Sequence, residues 1–100
     1  MPQFVVSVPH ALGREDAMRR LDGLIERIRA EHGQNLAEMQ GGWAAHVLSF
    51  SFRAMGMAVS GAMEVNEDQV HVQGQLPLAA AFFRGKIEQT IRSELRSVLA

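Results

Sequence analysis

The sequence predicts an α+β domain, an antiparallel sheet with two helices packed on one of its faces. Three observations predict it: apolar side chains that alternate in several short segments, two longer segments with helical apolar spacing, and turn residues between the short segments. The order read along the chain is β-α-β-β-β-β-α. At 100 residues, with 47% hydrophobic and 21% charged, the chain suits a single domain spanning 1–100. A chain of this size buries about two-thirds of its unfolded surface, enough for one core.

Gln3 to Val8 alternates, with Phe4, Val6 and Val8 on one face and Val5 and Ser7 on the other. Pro9 has no N–H for a ladder and ends that strand. From Gly13 to about His32 the period is helical, and Ala17, Leu21, Leu24 and Ile28 form one stripe. Glu15 and Asp16 stand in its first turn, Glu15–Arg19 and Asp16–Arg20 are i,i+4 pairs, and Gly33 follows as a terminating residue.

Leu36 to Leu76 reads as a meander, with turn signals at Gly41-Gly42, Met55-Gly56 and Asn66-Glu67-Asp68. A two-residue turn at Met55-Gly56 pairs Phe52 with Val59, Phe50 with Gly61 and Leu48 with Met63. If Val65 and Val70 flank the next turn, Met63 faces Val72 and Gly61 faces Gly74. One face then collects the large apolar residues from Leu48 to Leu76, and a one-residue slip would scatter them. Phe50 beside Gly61 and Gly74 leaves two readings: the ring lies over bare backbone, or the sheet bends there to admit a helix. The second reading makes Phe50, Gly61 and Gly74 the candidates for a ligand cavity.

The other face carries Ser49, Ser51, Ala58, Ser60, Ala62, Gln73 and Gln75 among few charges, and near the Gly-Gly turn Trp43, Val47 and Leu36. It is either a half-exposed sheet face or a packing surface for a second copy, with Trp43 as anchor. Leu78 to Ala100 is mostly helix, with Phe83, Ile87, Ile91, Leu95 and Val98 as its stripe and Glu88–Arg92 as a supporting pair. Gly85 favours an irregular turn over Leu78 to Arg84 before the regular helix. Phe82 falls outside the stripe and, with Leu78, is a candidate for contact with a partner or hydrophobic surface.

Chemistry is sparse. Ten Lys+Arg against eleven Asp+Glu give a net charge of −1, which speaks against nucleic acid as a partner. The absence of cysteine excludes disulfides and thiolate chemistry. Neither a transmembrane run nor a secretory signal is expected, so the expected location is cytoplasmic. His10, His32, His46 and His71 are dispersed by the expected register, His46 with the core set and His71 on the opposite face, and lack the spacing of a zinc site. His10 is expected to satisfy backbone groups of its loop, and His32 to complement a helix end. Serines lie outside any nucleophile elbow, and no glycine pattern cradles phosphate. No catalytic residue, cofactor or metal is expected, and the chain reads as a non-enzyme.

Val8-Pro9-His10-Ala11-Leu12-Gly13 leading into an Ala-Met-Arg-Arg-Leu helix, and Leu76-Pro77 followed by Phe83-Arg84-Gly85-Lys86-Ile87-Glu88, resemble the small polyhydroxyalkanoic acid system proteins over nearly the whole chain. The resemblance implies a bacterial accessory protein of polyester storage, located at or near the granule surface, and supplies no reaction. Docking to the polyhydroxyalkanoate granule or a granule-associated protein is then expected through Leu78 and Phe82, or through Trp43 and Val47. The alternatives are a small hydrophobic-ligand (acyl) binding domain and a structural homodimer. Phasins, granule proteins built as long amphipathic helices, are a different architecture, and their mechanism is not carried over.

Overall fold

The computed structural model describes residues 2–33, 36–54 and 56–100. Strand β1 (Gln3–Pro9) leads into helices α1 (Arg14–Leu21) and α2 (Leu24–His32). Strands β2 (Leu36–Ala44), β3 (Val47–Ala54), β4 (Met57–Val65) and β5 (Gln69–Gln75) follow. A 3₁₀ turn (Leu78–Phe83) then opens into helix α3 (Arg84–Leu99). The five strands form one antiparallel sheet in the order β1-β5-β4-β3-β2. The helices cover one face, with α3 against β1, α2 against β2, and α1 against α3 and β4. This is the α+β architecture the alternating and helical periods predict.

The register follows the hydrophobic pattern. Phe52 pairs with Val59, Phe50 with Gly61 and Leu48 with Met63. Met63 then pairs with Val72 and Gly61 with Gly74. β1 adds Phe4 opposite Gly74, Val6 opposite Val72 and Val8 opposite Val70. Because directly opposed residues share a face, Phe4, Val6, Leu48, Val59, Met63 and Val72 all point at the helices and are buried. Phe50 and Phe52 pack half-buried on the same core. In the β3–β4 turn, Gly56 has φ 79°, while Met55 lies outside the described residues.

Three local expectations are corrected. The helix expected over Gly13 to His32 is two helices. Asp22 is extended and Gly23 adopts φ 85°, a left-handed conformation that costs glycine nothing. The apolar stripe runs on across the break, which hides it from periodicity alone. α2 ends at His32 with Gly33 directly after it, as expected, in a right-handed conformation (φ −59°).

Gly41-Gly42 is not a turn. β2 continues through it, and the chain reverses at Ala45-His46, where Ala45 has φ 53°. A Cβ on Gly41 would approach Ile25 Cγ1 to 2.9 Å, so this glycine lets α2 settle onto the edge strand. A bulge between Ala37 and Gln40, with Glu38 at φ 54°, further shifts the register of β2.

The expected ion pairs Glu15–Arg19, Asp16–Arg20 and Glu88–Arg92 also give way to other partners. Arg19 pairs with Asp16 at 3.5 Å, Arg20 donates to the Ala100 carbonyl, and Glu88 accepts the N–H of Val5. Exposed helix pairs are worth only a few tenths of a kcal/mol, so a neighbouring i,i+3 partner or a tertiary hydrogen bond easily redirects them.

Candidate docking surface

Leu76 is fully buried at the end of the sheet, and Pro77 follows with φ −59°. The Pro77 carbonyl accepts the N–H of Ala80 at 2.9 Å, closing the first turn of the 3₁₀ segment. Ala80 is buried and Phe83 is half-buried on the core. The tighter 3₁₀ winding holds these two residues inward and leaves Leu78 at 81% and Phe82 at 77% exposure. Ala79 beside them is exposed as well. The Phe82 and Phe83 rings lie 4.0 Å apart, which props the outer ring on the anchored one. Arg84, Gly85 and Lys86 follow in the exposed first turn of α3. The result is a greasy tip beside two cations. Leu78 and Phe82 were legible as candidates, whereas the flanking cations were missed although they adjoin in sequence.

The other expected docking pair does not form one surface. Trp43 stands directly opposite Leu48, so it lies on the helix side of the sheet rather than the outer face. The difference arises from the turn at Ala45-His46, which puts Trp43 in β2, two residues before the reversal, instead of in β3. Trp43 is 36% exposed and borders a cleft of about 150 Å³ with Leu48, Leu21, Ile25 and Arg29. That is below the roughly 300–1,000 Å³ of typical small-molecule sites. Val47, half-buried, sits on the opposite face between Ala44 and Glu64. The side chains of Leu36 and His32 lie outside the described residues.

The ligand-cavity candidates are packed. A side chain at Gly61 would collide with the Phe50 ring and the Gln73 carbonyl, and one at Gly74 with the Phe4 ring and the Ser60 carbonyl. The two rings thus fill the space over the bare backbone, and the bend that would admit a ligand is not needed to explain the glycines.

The histidines are dispersed. His10 Nδ1 accepts the N–H of Leu12 at 3.2 Å, and its Nε2–H donates to the Asn66 carbonyl at 3.0 Å. The obligate donor and acceptor on either side fix the neutral Nε2–H tautomer in this arrangement. His71 Nδ1 and Ser7 Oγ share a hydrogen bond of 2.9 Å on the outer face. His46 is half-buried in the β2–β3 turn, where its carbonyl accepts the N–H of Val65. Among the described residues, no three His, Asp or Glu side chains gather as metal ligands, and no helix is long and apolar enough to cross a membrane.

No curated protein and no solved structure matches the chain. Comparison with protein families matches residues 4–99 to the family described as "putative polyhydroxyalkanoic acid system protein". That match spans β1 through α3 and includes both the Pro9-His10 loop and the Leu76–Glu88 segment. The chain therefore belongs to the polyhydroxyalkanoic acid system protein family.

Proposed function

We propose that this protein is a non-enzymatic accessory protein of polyhydroxyalkanoate storage that docks on the granule through Leu78 and Phe82. The observation that carries the reading is the exposure of these two large apolar side chains on a rigidly anchored 3₁₀ turn. Exposed apolar surface held in one place costs solubility and is characteristic of contact sites. A polyester surface rewards such burial with about 25 cal/mol per Å² removed from water. Family membership supplies the storage context. The protein then works in the bacterial cytoplasm at the granule boundary, where it touches the polymer or a protein already bound to it.

The acyl-ligand reading loses its motivating feature, since the Phe4 and Phe50 rings occupy the space over Gly74 and Gly61. The test is co-sedimentation with a granule fraction, comparing wild type with the Leu78→Ser/Phe82→Ser double variant. Wild type is expected in the granule pellet and the double variant in the supernatant. Equal partition of the two would remove this surface from the account.

A further inference from the structure

The cations of this chain fall into two groups. Before α3, Arg14, Arg19, Arg20, Arg27, Arg29 and Arg53 each bond to a carbonyl or pair with a carboxylate. The side chains of the four on α3, namely Arg84, Lys86, Arg92 and Arg96, make no hydrogen bond or ion pair with any described residue. The acids of the same helix are engaged elsewhere: Glu88 accepts the Val5 N–H, and Glu94 lies 4.0 Å from Arg27. Gly85, Gln89, Arg92, Ser93 and Arg96 line one shallow depression, as their three- and four-residue spacing on a helix requires. In a chain of net charge −1, the Lys and Arg side chains without a partner among the described residues thus lie along one helix, directly after the exposed Leu78 and Phe82.

We infer that the 3₁₀ turn and the outer face of α3 together form an interfacial binding surface for anionic phospholipid. Leu78 and Phe82 enter the acyl boundary, and the α3 cations meet the headgroup phosphates. An apolar tip next to a basic stripe fits a lipid interface better than nucleic acid, which would use the cations and leave the two apolar side chains in water. The inference deepens the granule-docking reading and rests on it for the role of the tip, by naming phospholipid as what the cations recognise.

The test is vesicle flotation with phosphatidylcholine and with phosphatidylcholine–phosphatidylglycerol mixtures, at low and high salt. Wild type is expected to bind the anionic vesicles and to lose them at high salt. Arg92→Gln/Arg96→Gln is expected to lower that affinity on the order of tenfold at low salt, given the contribution of each cation near a charged surface. Arg19→Gln/Arg53→Gln, which removes two paired cations, is expected to lower it far less. Circular dichroism of each variant separates unfolding from lost binding. Equal binding to neutral and anionic vesicles, or an unchanged Arg92→Gln/Arg96→Gln variant, would overturn the inference. Binding to duplex DNA as tight as to anionic vesicles, and indifferent to Leu78→Ser/Phe82→Ser, would do so too. Protein-free polyester particles keep the two claims apart. If wild type ignores them but binds anionic vesicles, polymer docking fails and lipid recognition stands, and the reverse pattern has the opposite meaning.

Discussion

Glu88 Oε2 accepts the backbone N–H of Val5 at 2.9 Å, joining α3 to the edge strand β1. An edge strand offers unpaired amides to any passing chain, and here a carboxylate from the covering helix takes up one of them. The same contact fixes the start of α3, and with it the turn that carries Leu78 and Phe82. Glu88→Ala is expected to lower stability by about 1 kcal/mol, the scale of a partly exposed charge-assisted hydrogen bond. Glu88→Gln, which keeps an acceptor, should lose less. Urea denaturation measures both, and exchange of the Val5 amide should accelerate in the alanine variant.

His10 joins three pieces of backbone: its ring bridges Leu12 and Asn66, and its own N–H donates to the Asp68 carbonyl at 3.0 Å. His10→Ala removes the two ring bonds and should cost about 1–2 kcal/mol. Because the ring acts structurally, the variant is expected to keep granule partition once the fraction folded is accounted for. A folded His10→Ala protein that no longer partitions would assign the ring a direct part in docking.

Two glycines should respond oppositely to alanine. At Gly74 a methyl group meets the Phe4 ring and the Ser60 carbonyl, so Gly74→Ala should destabilise by about 2–3 kcal/mol. Adding Phe4→Leu should relieve only part of this, since the backbone carbonyl stays. At Gly85 nothing lies within 4 Å of the added methyl, and the position is helical. Gly85→Ala should therefore stabilise by about 0.5–1 kcal/mol. Thermal melts of the three variants check the signs.

The strand register of β3, β4 and β5 was legible because size alternates strongly there: Leu48, Phe50 and Phe52 face Met63, Gly61 and Val59 in one alignment only. The β2 edge was not. Gly41 signalled a turn from sequence, but its lack of a side chain serves the approach of Ile25, a contact that exists only once α2 is in place. The same misplacement sent Trp43 to the wrong face. The break at Gly23 was concealed by the unbroken stripe from Leu21 to Leu24. At the docking tip, Phe82 was identifiable because it falls outside the stripe of Phe83 and Ile87. The α3 cations lack partners because Glu88 bonds the Val5 N–H and not Arg92, the pair its spacing suggests, and because Glu94 lies beside Arg27.

The central claim is that the 3₁₀ turn is what meets the granule, and hydrogen–deuterium exchange on protein-free polyhydroxyalkanoate particles tests it most directly. Binding should slow exchange over residues 78–86 and leave the outer sheet face, at Ser49, Ser51 and Ser60, unchanged. Slowing over those serines or around Trp43, with none over 78–86, would contradict it.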